Sequence, residues 1–304
     1  MKRVLSQWAE KFFYDPGPVE KVVSWLLWPL SLLYCFVMKK RYLTSETVDF
    51  HIRIVSVGNL TVGGSGKTPL VTALASKYAD VAVVLRGYGR QSSGLIVVSD
   101  GKDTLCDVKK SGDEAMIYAA KLPKAVVIVS EDRNIAIEKA KEMGCRVVFL
   151  DDGYSKHHIK KLDLVIEVDT PNSFCLPAGP YRERLWKTKE ALMLKEGRDF
   201  RRKTNIKDAR SKMVLVTAIA RPERLDRYLP DLLGKYYFAD HHFFEKDELE
   251  SILRRSGAES LLVTFKDYVK IREFGLPLSL LDLELQVAGE LCEKVDKYIK
   301  NEEI

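Results

Sequence analysis

A glycine-rich segment is the feature that most restricts how this chain can fold. It reads Ser56-Val-Gly-Asn-Leu-Thr-Val-Gly-Gly-Ser-Gly-Lys-Thr-Pro69, and it lies between a short apolar run and a helical pattern. Glycines let a backbone curl until its N–H groups point at phosphate oxygens, and the N-terminus of the following helix adds a positive dipole. The segment predicts a phosphate-binding loop, in which Lys67 reaches the β- and γ-phosphates and Thr68 holds Mg²⁺. The residues expected around the phosphates are Gly63, Gly64, Ser65, Gly66, Lys67 and Thr68.

Two features of this region leave alternatives open. Thr61 stands at the first glycine position of the strict GxxxxGK[ST] pattern, so a glycine-rich turn with a chance Lys-Thr pair is one alternative. Asp151 and Asp152 follow a later apolar run, Arg146–Leu150. Because ligands gather at the carboxyl ends of parallel strands, we expect this pair to hold Mg²⁺ directly or through water. The alternative for Asp151-Asp152-Gly153 is an ordinary turn.

From Asp49 onward, short β-branched runs alternate with helical patterns, which is typical of parallel sheets covered on both faces. The sequence predicts an α/β protein with a P-loop NTPase-like parallel sheet domain, a second, smaller α/β domain and an N-terminal membrane-associated helical segment. The expected boundaries are 1–45, 46–210 and 211–304, with the polar stretch Glu190–Lys212 between the two α/β units. The predicted strands are Arg53–Val57, Val81–Leu85, Ala125–Val129, Arg146–Leu150, Leu164–Val168, Met213–Thr217, Tyr236–Phe238, Leu261–Thr264 and Leu281–Val287. The predicted helices are Lys67–Lys77, Asp113–Ala120, Asn134–Met143, Lys246–Arg255 and Gly289–Lys300.

The N-terminal segment contains seventeen consecutive uncharged residues, Val22–Met38, followed by Lys39-Lys40-Arg41. A membrane-spanning helix needs about 20 apolar residues, and Pro29 is expected to interrupt this run. Three of the four tryptophans lie in the first 28 residues, and tryptophan favours the lipid headgroup level. We predict an interfacial helix pair that lies in one leaflet. A buried hairpin packed on the body and a single membrane span are the alternatives.

Charge and cysteine content restrict the partners. The net charge is +6, with +4 in residues 1–45 and +7 in residues 181–212. Two local positive surfaces on an otherwise acidic chain favour specific anionic partners and argue against nucleic acid. The basic segment Tyr181–Lys212 is either a solvated face or a surface that contacts anionic lipid headgroups. Five dispersed cysteines without a CxxC pair predict reduced thiols in a cytosolic setting and no structural zinc.

Taken in order, the motifs resemble those of one family, the tetraacyldisaccharide 4'-kinases of lipid A biosynthesis. The resemblance covers most of the chain and implies transfer of the γ-phosphoryl group of ATP to the 4'-hydroxyl of tetraacyldisaccharide 1-phosphate, which forms lipid IVA. It also implies ATP and Mg²⁺ as cofactors, a lipid disaccharide 1-phosphate as substrate and a place on the cytoplasmic face of the bacterial inner membrane. The matching segments are Gly58–Pro69, Arg86–Arg90, Gly112–Glu114, Asp151–Gly153, Leu176–Glu183, Ile219–Arg224 and Asp240–His241.

The resemblance implies roles for further residues. Asp113 would be the catalytic base, paired with His241 from the second domain, so that catalysis depends on closure of the cleft. From the residues alone, Asp113 is equally a helix N-cap, and His241 or His242 is an ordinary loop histidine. Arg133 is a candidate phosphate ligand, with a loop brace or a surface salt bridge as alternatives. The candidate substrate-binding residues are Asn59, Arg86, Tyr88, Arg90 and Glu183, of which the last is also a candidate contact to the metal shell.

The chain departs from the family pattern in three places. Tyr154-Ser155-Lys156 stands where the family has Phe-Gln-His, and His157 is a candidate replacement through a one-residue shift. Phe265 replaces the glutamate of the family's Thr-Glu-Lys-Asp. The segment between Glu183 and Met213 is shorter than usual, which predicts a trimmed connection between the domains.

Two other functions fit the same loop. A membrane-tethered P-loop NTPase switch would hydrolyse nucleotide without an acceptor, but it leaves the segments Leu176–Pro180 and Asp240–His241 without a role. A kinase for another amphipathic alcohol, such as undecaprenol or diacylglycerol, is the second alternative, because no residue reads the sugar unambiguously. GTP stays open as the nucleotide, although the chain has no clear guanine-reading Asn-Lys-x-Asp motif.

Overall fold

The computed structural model describes residues 2–219, 222–240 and 242–301, with side chains from Trp8 onward. Two helices, α1 (Lys2–Tyr14) and α2 (Pro18–Leu43), precede two sheets with interspersed helices. Helix α2 is continuous through Pro29, so the predicted interruption is wrong. Proline removes one backbone N–H, and a helix of 26 residues keeps its hydrogen bonds on both sides of that position.

The first sheet has seven strands in the order β3-β4-β2-β5-β1-β6-β7, and every pairing is parallel except β3 with β4. Its strands are β1 (Arg53–Asn59), β2 (Val81–Leu85), β3 (Ile96–Asp100), β4 (Val126–Val129), β5 (Val147–Asp151), β6 (Leu162–Ile166) and β7 (Leu192–Leu194). Its helices are α3 (Lys67–Ala75), α4 (Val108–Ser111), α5 (Asp113–Lys121) and α6 (Arg133–Glu142). This order places the carboxyl ends of β1 and β5 side by side, and the predicted phosphate loop follows β1.

The second sheet has five strands in the order β10-β9-β11-β12-β8, with β8 antiparallel to β12. Its strands are β8 (Phe200–Lys207), β9 (Met213–Thr217), β10 (Gly234–Tyr237), β11 (Ser260–Thr264) and β12 (Leu278–Val287). Its helices are α7 (Lys246–Ser256), α8 (Phe265–Ile271) and α9 (Gly289–Lys300), with 3₁₀ helices at Pro222–Tyr228 and Arg272–Phe274. The architecture is the predicted α/β type with two sheets.

Both faces of the first sheet are buried, and one face is shared with the second unit. Val55 and Val57 point into a large apolar cluster, and Ile54 points into a cluster on the opposite face. The large cluster also contains Leu285 of β12 and Leu291 of α9. The two sheets are therefore joined by a continuous apolar core.

The strands β3, β7 and β8, the helices α4 and α8 and the two 3₁₀ helices had no counterpart in the predictions, and β6 begins two residues before the predicted strand. The stretch Glu190–Lys212, predicted as a polar boundary, contains β7 and β8. Strand β8 reads FRRKTNIK, and most of its side chains are exposed or half-buried. Such a strand has no apolar alternation to identify it, because pairing with β12 rather than burial defines it.

The expectation that every cysteine is a reduced thiol is wrong for one pair. Cys35 of α2 and Cys175 form a disulfide, with their Cα atoms 6.1 Å apart and 140 residues between them in sequence. The spacing of the cysteines carries no signal for this pair, because folding alone brings α2 against the loop that holds Cys175. Cys106, Cys145 and Cys292 are free thiols.

Helix α2 contacts the body through polar side chains and exposes apolar ones. Ser24 donates a hydrogen bond to the backbone oxygen of Ala178 (2.6 Å), and Ser31 donates to that of Cys175 (2.8 Å). On the opposite side, Leu26 is 74% exposed. The helix is long and apolar enough to cross a membrane, and only 17% of its most apolar 18-residue window is buried. This exposure excludes the buried-hairpin alternative.

Candidate active site

The predicted phosphate loop is a tight turn that ends in a helix. Gly63 and Gly66 have φ angles of 91° and 88°, in the left-handed region that favours glycine, and α3 begins directly after Gly66. Backbone oxygens of the loop are held from the second unit: Arg224 donates to Gly64 (3.0 Å) and Arg202 to Ser65 (3.5 Å). The turn leads into the N-terminus of α3, as an anion-binding loop requires. The chance-turn alternative for the Lys-Thr pair does not explain the two arginines at this loop.

Lys67, the first residue of α3, points into the protein. Its Nζ donates a hydrogen bond to Asn59 Oδ1 (3.0 Å) and lies 3.6 Å from Asp152 Oδ1. Arg182 joins the group by donating to Asn59 Oδ1 (3.0 Å) and to Asp152. Arg182 was not among the predicted site residues, although it adjoins Glu183 in the Leu176–Glu183 motif.

Asp151 ends β5 and is only 3% exposed. Tyr118 of α5 donates a hydrogen bond to Asp151 Oδ2 (2.8 Å), and the Tyr118 hydroxyl also contacts Thr68. Burial raises the pKa of Asp151 to about 7; the charge of Glu114 adds to this rise, and that of Lys67 opposes it. Tyr118 lies in mid-helix without a motif around it, so no sequence signal predicts this bridge.

Asp152 has the opposite electrostatic behaviour. Burial alone would raise the pKa of Asp152, but the charges of Lys67 and Arg182 outweigh it and hold that pKa below its usual value. The two adjacent carboxyl groups are therefore distinct, because Asp152 is ion-paired and Asp151 forms no ion pair with the residues that the structure describes.

The Asp151 side chain has the properties of a cation ligand. Its Oδ1 is buried without a hydrogen-bond partner among the described residues. Tyr118 brings Asp151 and Thr68 together, so that a carboxylate and a hydroxyl oxygen lie at the phosphate loop. These hard oxygen donors suit Mg²⁺. In the part of the chain that the structure describes, no group of three or more His, Cys, Asp or Glu side chains could hold a metal alone.

Arg133 begins α6 and is 4% exposed, so the surface salt bridge alternative is wrong. Its Nη1 donates to the backbone oxygen of Ser130. Burial lowers the pKa of Arg133, and the charges of Asp151 and Asp152 oppose that fall. The guanidinium is thus a buried cation in the field of both carboxylates.

The Arg86–Arg90 segment presents two residues outward and one inward. Arg86 and Tyr88 are exposed, the latter by 67%. The Arg90 side chain is only 3% exposed; it pairs with Glu131 and donates to the backbone oxygen of Gly94 (2.7 Å). In this structure Arg90 braces the loop, and Arg86 and Tyr88 lie at the surface.

Glu183 lies at a cavity of about 200 Å³ between α2 and the carboxyl ends of β1 and β5. Its carboxylate is 3.4 Å from Nε2 of His157 and 4.0 Å from the guanidinium of Arg41. Burial lowers the pKa of His157, against the effect of Glu183, and Lys189 contacts its Nδ1 (2.9 Å). The wall of this cavity includes Tyr34, Met38, Arg41, Asn59, Asp152 and Arg182.

The family departures have structural counterparts. Burial, with the nearby charge of Arg133, lowers the pKa of Lys156. Phe265 packs against the large core cluster, and the ammonium of Lys121 lies 4.4 Å from its ring centroid. The carboxylate lost at position 265 is therefore replaced by an apolar and cation–π contact.

Asp113 is the first residue of α5 and is 2% exposed. The N-cap of that helix is Gly112, so the N-cap alternative for Asp113 is wrong. Its carboxylate lies 3.0 Å from Lys270 Nζ and 3.9 Å from Lys266 Nζ, both on α8. His241 lies outside the described residues. The ring of His242 stacks on Phe238 at 4.9 Å, which makes it a packing residue.

Comparison with known proteins identifies the family. The family model described as "Tetraacyldisaccharide-1-P 4'-kinase" matches residues 23–212 and 192–300. The chain belongs to this family. It is 44% identical over 297 residues to a tetraacyldisaccharide 4'-kinase of Aliarcobacter butzleri, covering 94% of this chain and 95% of that protein. It is 44% identical over 294 residues to that of Helicobacter pylori J99 (95% and 94%), and 42% over 296 to that of Campylobacter jejuni 81-176 (96% and 96%).

A solved structure shares the fold of this tetraacyldisaccharide 4'-kinase family member. It is the crystal structure of the "apo" form of LpxK from Aquifex aeolicus in complex with ATP, which superposes with a TM-score of 0.72. The two are 23% identical, and the alignment covers 92% of this chain and 99% of the other. The shared fold places the two sheets and the phosphate loop in a known architecture.

A second cavity in this family member was not predicted. It measures about 330 Å³ and lies on the side of β1 away from Asp151, at the end of β6. Its wall includes Leu60, Thr61, Ile166, Asp169, Tyr181 and Met193. Leu60, Thr61 and Tyr181 belong to motifs, but no motif by itself predicts the cavity, because its wall combines four separate segments.

Proposed function

We propose that this protein transfers the γ-phosphoryl group of ATP to the 4'-hydroxyl of tetraacyldisaccharide 1-phosphate, which yields lipid IVA in lipid A biosynthesis. The observation that carries the proposal is Lys67, held between the phosphate loop and the Asp151/Asp152 pair in a member of this kinase family. Phosphoryl transfer depends on positioning and on neutralising charge at the transferred group. We assign that task to Lys67 and to Arg133, a buried cation in the field of Asp151 and Asp152.

ATP would bind with its phosphates at Gly63–Thr68. Loop N–H groups and the α3 N-terminus supply fixed positive ends, and Arg202 and Arg224 add charge beside the loop. The γ-phosphate belongs near Lys67 and Asp151, so the nucleotide extends away from β5. The cavity of about 330 Å³ beside β6 lies in that direction, and we assign the adenine ring of ATP to it.

The same proposal assigns Mg²⁺ to Asp151 and Thr68. The buried, unpartnered Oδ1 of Asp151 and the nearby hydroxyl supply the oxygens that this ion prefers. An ion held by these two residues would supply positive charge against the charge that develops during phosphoryl transfer. We assign Asp152 to orienting Lys67, because its carboxylate is already engaged with Lys67 and Arg182.

The acceptor hydroxyl needs a base, and we assign that role to Asp113 with His241. The attacking oxygen forms a bond to the γ-phosphorus, ADP leaves, and the hydroxyl proton passes to this pair. Asp113 supports the assignment because it is a buried carboxylate that contacts two lysines of the second unit.

The lipid would approach along α2. The outward apolar face of α2 fits the inner membrane at its cytoplasmic face, and the cavity of about 200 Å³ lies at the inner side of the same helix. Asn59, Arg86, Tyr88 and Glu183 are the residues we assign to the disaccharide 1-phosphate. The polar and cationic wall of this cavity suits a phosphorylated sugar better than a bare alcohol.

One experiment tests the function. The purified full chain is incubated with γ-labelled ATP and tetraacyldisaccharide 1-phosphate, undecaprenol, diacylglycerol or no acceptor, and the labelled product is located. We expect label on the 4'-oxygen of the disaccharide alone. Label on another alcohol supports the other kinase, and ADP release at an undiminished rate without acceptor supports the NTPase switch.

A further inference from the structure

Two lysines of α8 meet the carboxylate of Asp113 across the boundary between the two units. Lys270 Nζ lies 3.0 Å and Lys266 Nζ 3.9 Å from the same oxygen, Oδ2. The side chains of Asp113 and Lys270 are 3% and 1% exposed. Buried charges of this kind persist only when they are paired, so these contacts fix the position of the carboxylate.

The same two lysines hold both residues that flank His241 in sequence. Lys266 Nζ donates a hydrogen bond to Asp240 Oδ1 (2.8 Å), and Lys270 Nζ donates to the backbone oxygen of His242 (3.1 Å). Residues four apart lie on one face of a helix, so a single face of α8 contacts both partners. Each lysine thereby links α5 to the 240–242 segment.

Helix α8 is itself fixed to the second sheet. Asp267 is fully buried and accepts hydrogen bonds from the hydroxyl of Thr217 (2.7 Å) and the backbone N–H of Ala218 (3.0 Å). Thr264 caps the helix by accepting a hydrogen bond from the backbone N–H of Asp267. The two lysines therefore extend from a rigid support rather than from a loop.

We infer that Lys266 and Lys270 are positioning residues that set the Asp113 carboxylate in register with the segment that carries His241. This inference rests on the proposed function, in which Asp113 and His241 receive the proton. Two ammonium groups orient the carboxylate, and they tie its position to the second unit. Loss of one lysine would misplace the base and lower turnover without weakening nucleotide binding.

The chain offers a matched control at the same boundary. Lys121 of α5 pairs with Asp282 of β12, and Asp282 also pairs with Lys207 (2.8 Å). Lys121→Met leaves Asp282 with Lys207, just as Lys266→Met leaves Asp113 with Lys270. Both changes remove one ammonium from a buried carboxylate between the units, and only one of them involves the base.

The test uses the full chain with labelled ATP and tetraacyldisaccharide 1-phosphate in detergent. We expect Lys266→Met to lower kcat by about tenfold or more while KM for ATP changes by less than about twofold. Lys266→Arg should recover most of kcat, and Lys121→Met should keep it within about threefold. Asp240→Asn weakens the contact between Lys266 and residue 240 and should also lower kcat. This variant replaces Lys266→Met in the test if that protein does not fold.

Three results would overturn the inference. They are an unchanged kcat in Lys266→Met or Asp240→Asn, an equal loss in Lys121→Met, and no recovery in Lys266→Arg. Absence of transfer by the unmodified protein would instead contradict the proposed function, so the two failures are distinguishable.

Discussion

Lys67 is oriented by an amide and a carboxylate rather than by solvent. Asn59 accepts a hydrogen bond from its ammonium, and the Asp152 carboxylate forms an ion pair with it. Arg182 contacts the same two side chains. The arrangement fixes the direction of the lysine at little entropic cost when a phosphate arrives.

Removal of the Lys67 ammonium should lower turnover far more than it changes folding. We expect Lys67→Ala to reduce kcat by about 10²–10⁴-fold, since a preorganised charge at the transferred group is lost. Steady-state kinetics and circular dichroism measure the two effects. Lys77→Ala, an exposed lysine beyond the end of the same helix, is the control and should keep full activity. Equal activity of both variants would contradict the role of Lys67.

The assignment of the adenine ring to the cavity beside β6 can be tested by filling that cavity. Met193→Trp introduces a larger side chain into the cavity wall. We expect KM for ATP to rise about tenfold or more, with KM for the lipid unchanged, because only the subsite for the adenine ring is blocked. Initial rates with each substrate varied in turn give both constants. A rise in KM for the lipid alone would contradict the assignment of the adenine ring to this cavity.

His157 should make the protein less stable in acid. Burial lowers the pKa of His157 in the folded state, so the unfolded chain binds its proton more readily. Its contribution to stability is therefore present above the unfolded pKa of about 6.5 and is lost as pH falls through the folded pKa. Thermal unfolding at about pH 7.5 and about pH 5.5 should show a larger fall in Tm for the wild type than for His157→Gln. A larger fall in the variant would be the contrary result.

At this scale, the sequence predicts residues that belong to a motif and misses those that reach the site from elsewhere. The places of Lys67 and Asp151 in the site can be predicted from the order of strand, loop and helix. Tyr118 and Arg202 do not, because a tyrosine in mid-helix and an arginine in a basic strand look like core and solvated surface. His157, considered as a replacement for a substrate contact, is instead held by Glu183 and Lys189.

The α2 helix reverses the usual amphipathic arrangement. Ser24, Ser31 and Met38 repeat every seven residues and are buried against the body, whereas Leu26 and Leu33 face outward. A water-soluble surface helix has the opposite pattern. The sequence shows the apolar run, but only the structure shows which side of it is left uncovered.

This face should govern membrane binding. We expect the triple variant Leu26→Ser, Leu33→Ser, Val37→Ser to lower partitioning into phosphatidylethanolamine–phosphatidylglycerol vesicles by about tenfold or more, since these side chains no longer enter lipid. Vesicle sedimentation measures the bound fraction. Ile135→Ser, which replaces an exposed apolar residue on α6 (57% exposed), is the control and should bind normally. Unchanged binding of the triple variant would contradict the membrane role of α2.

Most strands of the first sheet were predictable because they are buried on both faces and apolar throughout. Strand β8 was not, since its side chains are polar and its identity depends on pairing with β12. Helix α8 follows β11 directly after Thr264, and seven residues give too little periodicity to identify a helix.

The two units share an apolar core, so we expect them to unfold as one body. Leu291 and Val295 of α9 lie in the same cluster as Val55 and Val57 of β1. The sequence predicts two α/β units and a last helix, Gly289–Lys300, but it does not show which sheet that helix covers. Local sequence patterns do not show which distant segments pack against each other.

Truncating this shared core should destabilise the whole molecule. We expect Leu291→Ala to lower the free energy of unfolding by about 2–5 kcal/mol, because a 3% exposed side chain is lost from a dense interior. Tyrosine and tryptophan fluorescence and circular dichroism should report one coincident transition in urea. Lys294→Ala, on the exposed side of α9, should change stability little. Two separate transitions would show that the units unfold independently.

The disulfide between Cys35 and Cys175 bears on the proposed membrane contact of α2, because it would limit the height of the site above the bilayer. It joins α2 to the loop whose Pro180 accepts a hydrogen bond from the backbone of Val62, at the entrance to the phosphate loop. With α2 placed in the membrane as proposed, this one covalent link would set both the depth of α2 and the position of the reaction centre. A glycolipid must present its acceptor hydroxyl at that elevation, so a spacer between acyl chains and sugar would exclude it as effectively as a wrong headgroup.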